Sequence, residues 1–318
     1  MEKVYLFFAK IYCRGYGKFE NNRYLYKRGT MKLQTDKMII TNEIRAYLIE
    51  MAVNAAVKAG AEIMKIYKNR DDYDISVKSD RTPITVADCL AHNKIKEVLG
   101  VTRIPILSEE GREMLYEERQ NWELFWLVDP LDGTIEFIKG NNEFTVNIAL
   151  MHDNECVGSV VYVPYYQKMY IGEKGFGAHL VNNIAPSSDA QYRYSDFSAS
   201  WHTLPFDNDR GPRLRVAVSR SHQTPETAEH IDSLRQHHPD LEVVEQGSSY
   251  KFCMLAEGVV DYYVRTSQTY EWDTAAGELI LAETGGRTRS LEDGSKFRYN
   301  KEDLRNPWFE CYSAESRI

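Results

Sequence analysis

No run of the chain approaches the roughly 18 consecutive apolar residues that a membrane-spanning helix needs, so no transmembrane segment is expected. Basic residues are in the minority. The 39 Lys and Arg against 47 Asp and Glu give a formal charge of −8, which argues against a binder of polymeric nucleic acid, since those normally carry a basic face. Cysteine is sparse: Cys13, Cys89, Cys156, Cys253 and Cys311 stand far apart, are odd in number and form no CxxC pair. That excludes a disulfide framework or a zinc-finger spacing and predicts reduced thiols in a cytoplasmic protein. Internal repeats and low-complexity tracts are also missing. What is present is ordinary, with 43% apolar and 27% charged residues over 318 positions, enough for one large domain or two of average size.

The segment VYLFFAKIYC near the N-terminus is short, broken by Lys10, and followed by aromatic and basic residues rather than a small-residue cleavage site, so a secretory signal is not expected. Met31 opens a more conventional start, and residues 1–35 are set apart as an extension of unknown role. Apolar residues at helical spacing (Ile44, Leu48, Met51, Ala55, Ala59, Ile63, Ile66) predict one long amphipathic helix over 41–67, capped by Thr41 or Asn42. A second helix is predicted over 86–99, closed by Gly100. Runs at 143–151, 157–164, 168–172 and 176–181 read as an antiparallel meander punctuated by Asp-Asn, Pro and Gly turns. Residues 182–213 are polar and read as a linker or surface excursion. After them LRVAVS, TPETAEHIDSLRQH, LEVVEQ, YKFCMLAEG, VVDYYVR and DTAAGELILAETGG alternate strand and helix. The expected division is therefore an extension (1–35), an α+β half (36–182), a linker (183–213) and an α/β half (214–318).

Four acidic places share one local pattern, a structured segment that ends on a carboxylate at a turn. They are Asp88 in ITVAD, Glu109 and Glu110 in LSEEG, Asp129 and Asp132 in VDPLDGT, and Asp273 in YEWDTAAG. Carboxylates are costly to bury without a neutralising partner. So many hard oxygen donors suit Mg²⁺, which prefers octahedral oxygen coordination shared with water and substrate phosphate. Pro130 restricts Asp129 to extended geometry at the strand end. Gly133 and Thr134 stand where the turn opens into a helix, with free N–H groups that suit an anion.

SDRTPITVAD, LSEEG, WLVDPLDGT, NEFTVNIAL and EWDTAAGELILAETGG together resemble the motif set of the inositol-monophosphatase-like superfamily. DGTIEFIKGNNEFTVNIAL and GSSYKFCMLAEGVVDYYVR resemble, more narrowly, its 3'(2'),5'-bisphosphate nucleotidases. The resemblance runs from about Glu43 to the C-terminus. It implies a layered αβαβα sandwich of the sugar-phosphatase type and a lithium-sensitive, Mg²⁺-dependent phosphomonoesterase. Glu109, Asp129, Asp132, Asp273 and the carbonyl of Leu131 match the metal ligands of two Mg²⁺ ions, with a third, weaker position beside Asp88. Asp88 and Thr134 match a pair that orients the attacking water, with Glu109 assisting in catalysis. The N–H groups of Gly133 and Thr134 match those that hold the phosphate oxygens in an in-line displacement.

A bisphosphate needs further cations for its second phosphate. Ser248, Lys251 and Arg265 match phosphate-contacting positions, and SRSH, with Arg220 and His222, resembles a segment lining the nucleoside pocket. Glu271, immediately before Trp272, follows the nucleotidase pattern, and Arg265 and Thr266 stand where inositol monophosphatases carry an acid. Ile135 departs from the lysine frequent in related nucleotidases. The resemblance thus implies hydrolysis of adenosine 3',5'-bisphosphate, and of its 5'-phosphosulfate relative, to remove a by-product of sulfate activation. An inositol monophosphatase, a sugar bisphosphatase and a non-catalytic nucleotide sensor are the alternatives. Relatives often dimerise, so a homodimer is among the expectations.

Overall fold

The computed structural model describes residues 40–69, 75–77, 83–206, 211–316 and 318. The extension read at 1–35 lies outside them.

Helix α1 (Asn42–Tyr67) is the predicted amphipathic helix, and the Thr41 hydroxyl accepts from the Ile44 N–H to cap it. Strands β1 (Ile75–Val77) and β2 (Pro83–Thr85) pair antiparallel and lead into α2 (Val86–Leu99). Gly100 caps α2 as expected, but with a right-handed φ of −58° rather than in a left-handed turn. The chain instead tightens into a 3-10 turn (Gly100–Thr102), and Arg103 takes the left-handed position. Thr102 explains the difference, because its hydroxyl donates to the orphan Leu99 carbonyl at 2.6 Å and accepts from Trp126 Nε1 at 3.2 Å.

Strand β3 (Ile106–Ser108), helix α3 (Tyr116–Arg119), strand β4 (Leu124–Asp132) and helix α4 (Thr134–Lys139) follow. The meander is β5 (Thr145–His152), β6 (Glu155–Val163), β7 (Lys168–Glu173) and β8 (Gly177–Val181). Helix α5 (Tyr194–Ser198) and strand β9 (His202–Thr203) complete a seven-stranded sheet of order β3–β9, parallel at β3–β4 and antiparallel elsewhere. The polar stretch read as a linker is therefore built into this half. Ile184, Ala190 and Phe197 join its core, and the Asn54 side chain bonds to both the N–H and the carbonyl of Tyr192.

The second half holds β10 (Arg215–Ser219), α6 (Pro225–Arg235), β11 (Glu242–Gln246), α7 (Tyr250–Glu257), β12 (Tyr262–Arg265) and α8 (Glu271–Glu283). Strands β13 (Arg287–Ser290) and β14 (Phe309–Tyr312) have no counterpart in the sequence reading. The five-stranded order is β11–β10–β12–β14–β13, with β10 parallel to both of its neighbours.

Alternation along β4 sorts the core. Trp126 and Val128 face α1 and α2, while Phe125 and Leu127 face α7 and α8. The second sheet packs on the far side of α7 and α8 through Phe309 and Tyr263, and its outer face takes Ile231 of α6. The layers run helix, sheet, helix, sheet, helix, which is the expected αβαβα sandwich. Among the described residues no helix is long and apolar enough to cross a membrane.

Candidate active site

Asp129 and Asp132 are three residues apart on one strand, and an unbroken pleat would send them to opposite faces. The ladder prevents this. Asp129 pairs with Asn147 and Asp132 with Thr145, so three steps on β4 oppose two on β5. The extra residue is a bulge at Pro130-Leu131, and it turns both carboxylates to one side. Glu109 follows β3, and its N–H donates to Val128 O at 3.1 Å, which sets it beside Asp129. Asp273 arrives from the other half in the first turn of α8, its Oδ2 accepting from Tyr270 N at 2.8 Å. Glu109, Asp129 and Asp273 each present one carboxylate oxygen, and the three oxygens lie within 4.8 Å of one another.

Asp132 lines the same cavity, with Oδ2 accepting from Ser249 N at 2.5 Å and from Asn147 Nδ2 at 3.3 Å. Burial, then repulsion from Glu109, pushes the Asp129 carboxyl well above the ordinary carboxylate range. Burial, then Asp132 and Glu109, does the same to Asp273. Acids gathered where they resist ionising form a cation site by chemistry. Their oxygens fit a hard divalent ion such as Mg²⁺.

Gly133 takes a left-handed φ of 89° that hands the chain from the bulge to α4, and Thr134 opens that helix. Thr134 Oγ1 lies 3.1 Å from Asp88 Oδ1 and 3.3 Å from the Leu131 carbonyl. Asp88 sits at the third position of α2, where its Oδ2 accepts from Thr85 N and Oγ1. It is buried behind Thr134 rather than in the cavity wall.

The opposite wall is basic. Ser248, Lys251, Arg265 and His222 all line it. Lys251 is buried, with Nζ donating to Gln246 O at 3.0 Å and Ser248 O at 2.6 Å. Burial, then the neighbouring Arg265, lowers its pKa to about 8. Burial and the same guanidinium pull His222 to about 4, so its ring is neutral at physiological pH. Arg265 has Nη2 3.4 Å from Gln268 O, and its buried Nε has no hydrogen-bond partner. A buried charged donor without a partner is a group prepared for an anion.

Two residues singled out in the sequence stand apart from the cavity. Arg220 is outside the cavity wall, and its guanidinium is bonded to Glu143 and Glu245. Glu271 faces away from the cavity, its carboxylate fully buried against Lys301 Nζ and the Asn300 and Lys301 N–H groups. Sequence reasoning missed Thr145, Asn147 and Ser249, which hold Asp132. The first two are alternate residues of TVNIAL, and that polar period on an otherwise apolar strand was the available signal.

An αβαβα fold with an acid cluster at its strand ends places the molecule among the metal-dependent phosphatases. The chain belongs to the inositol monophosphatase family, whose model matches residues 45–308. It is 36% identical over 264 residues to the 3'(2'),5'-bisphosphate nucleotidase CysQ of Salmonella typhimurium, an alignment covering 82% of this chain and 98% of that protein. The identity to CysQ of Escherichia coli K12 is also 36%, over 265 residues, with the same coverage of 82% and 98%. Among solved structures, CysQ from Bacteroides thetaiotaomicron superposes with a TM-score of 0.79 at 39% identity, covering 86% of this chain and 100% of that one. The suhB protein of Bartonella henselae, at 23% identity, coverage of 84% and 94%, and a TM-score of 0.66, shares the fold.

Proposed function

We propose that the chain is a Mg²⁺-dependent phosphomonoesterase that hydrolyses adenosine 3',5'-bisphosphate to AMP and phosphate, and acts likewise on the 5'-phosphosulfate relative. The observation that carries this reading is the division of one cavity into an acidic wall and a buried basic wall. A monophosphate of a polyol needs only the first. A nucleotide with two phosphates uses both, and the nucleotidase name of the relatives agrees.

In this reading Glu109, Asp129, Asp132, Asp273 and the Leu131 carbonyl hold two Mg²⁺ ions, with Asp88 near a third. When bound, Mg²⁺ supplies a water of lowered pKa and neutralises phosphate charge. Thr134 has its hydroxyl hydrogen committed to Asp88, so Oγ1 keeps lone pairs to accept from the attacking water and, with Glu109, to aim it in line. The N–H groups at Gly133 and Thr134 meet the phosphate oxygens. Ser248, Lys251 and Arg265 take the second phosphate, and the neutral His222 faces the nucleoside.

Phosphate release from adenosine 3',5'-bisphosphate with Mg²⁺, with excess EDTA, and from inositol 1-phosphate tests the reading. EDTA-sensitive turnover of the nucleotide alone is expected. Turnover of inositol 1-phosphate alone would discard the nucleotide pocket, and turnover of neither would leave another ester or a sensor.

A further inference from the structure

Arg220 follows β10 directly and looks like a nucleotide contact in the sequence, yet its donors are committed elsewhere. Nε and Nη2 each meet one oxygen of Glu143 at 2.8 Å, a two-pronged fork. Nη2 also donates to Glu245 O at 2.7 Å, Nη1 to Glu245 Oε2 at 3.2 Å, and the main-chain N–H to Gln246 O at 3.3 Å. Glu143, buried just before β5, uses Oε2 a second time to accept from Gly247 N at 2.8 Å.

Its carbonyl is equally placed. A Cβ on Gly133 would stand 3.0 Å from Glu143 O, and one on Gly247 would stand 2.9 Å from it and 2.4 Å from Glu136 Cγ. Only a residue without a side chain fits at 247 while Glu143 stays where it is. The rest of that loop reaches the site. Ser249 N donates to Asp132, and the Gln246 and Ser248 carbonyls are the acceptors of Lys251 Nζ.

We infer that Arg220 and Glu143 are a positioning pair. Together they set the loop 246–249, the loop sets the Asp132 carboxylate and the Lys251 ammonium, and Arg220 itself touches no phosphate. This rests on the reading of Asp132 as a metal ligand and Lys251 as a phosphate contact. Removing the guanidinium leaves Glu143 buried without its counter-charge, a cost that is relieved when the carboxylate moves toward water and away from Gly247.

The test uses Arg220→Met, Arg220→Lys, the near-isosteric Glu143→Gln, and the double variant Arg220→Met with Glu143→Gln. Amide hydrogen exchange at Gly247 and Ser249 is read without metal, Mn²⁺ binding by the electron-spin signal of the free ion, and kcat and KM on adenosine 3',5'-bisphosphate. Both amides should exchange at least about tenfold faster, as their pairing becomes local rather than held. Mn²⁺ binding should weaken by about 10- to 100-fold, as when an outer partner of a ligand is lost. The double variant should be no worse than the poorer single, because both act through one device. Arg220→Lys keeps the charge but not the fork and should recover little.

A rise in KM for Arg220→Met with exchange and Mn²⁺ binding unchanged, and Glu143→Gln silent, would make Arg220 a substrate contact and overturn the inference. Additive losses would overturn it too. Should the unaltered protein leave the nucleotide intact while the variants still loosen both amides and Mn²⁺, the positioning pair stands and the substrate reading fails. Should the unaltered protein bind no Mn²⁺, the metal reading fails, and the amide exchange alone decides the pair.

Discussion

Thr134 Oγ1 donates to Asp88 Oδ1 at 3.1 Å, tying the first residue of α4 to the first turn of α2. Asp88 is in turn held by Thr85, so the hydroxyl direction is fixed by a chain of two residues behind the cavity wall. Thr134→Val keeps the shape and loses the oxygen. Its kcat should fall by about 100-fold or more, while Mn²⁺ binding stays near the original value. Thr134→Ser should retain most of the rate. A valine variant of near-normal kcat would remove Thr134 from the chemistry.

Asp129 stands among three other acids, and its ionised form is resisted by burial and by Glu109, Asp132 and Asp273. Asp129→Asn relieves that repulsion, so the metal-free protein should melt at a higher temperature. Turnover should drop by at least about 100-fold, since a charge aimed at the reacting centre is gone. A lower melting temperature together with surviving Mg²⁺-dependent turnover would contradict the assignment.

The same acids make stability depend on pH and on metal together. Asp129 and Asp273 titrate well above their ordinary value of 3.8 in the folded chain. Between that value and the raised ones the folded chain binds more protons than the unfolded chain does. Stability of the metal-free protein therefore declines as pH rises through the window. Under the proposed metal reading Mg²⁺ would bind the ionised acids, so the rise in melting temperature that it gives should grow with pH. Thermal melts in EDTA and in Mg²⁺ from acid to neutral pH check this, and a metal increment that is flat or shrinks with pH would refute it.

Lys251 should impose a pH limit on substrate binding from the other side. With a pKa lowered to about 8 by burial and Arg265, its positive charge is complete below that pH and lost above it. KM for adenosine 3',5'-bisphosphate should climb as pH passes about 8, the bound anion moving the bend somewhat higher. Lys251→Met should bind the nucleotide weakly at every pH and lose the bend. A bend that persists in that variant belongs to another group.

The acid cluster was legible because its members stand at the ends of structured segments, and so many carboxylates in such places need a cation to be tolerable. Helix α1 and the strand–helix alternation of the second half were legible from period alone. The bulge at Pro130-Leu131 was not, since a proline marks a possible irregularity without saying which residues oppose it. Strand β13 reads RTRS and keeps only Thr288 and Ser290 buried, so its period is too weak to notice. Residues 183–206 looked like a linker because their anchors, Ile184, Ala190, Phe197 and Leu204, are widely spaced among polar neighbours. The setting of Arg220 was illegible for a different reason. Its partner Glu143 lies 77 residues earlier, and sequence spacing carries no record of a contact made across the seam between halves.

Asp273 lies far downstream of Asp129, and the three-oxygen cluster needs both. The cluster is therefore complete only once α8 has joined the earlier strands. A divalent ion that needs all three oxygens would bind the finished fold and not a partly made one, and would draw the folding equilibrium toward the complete chain.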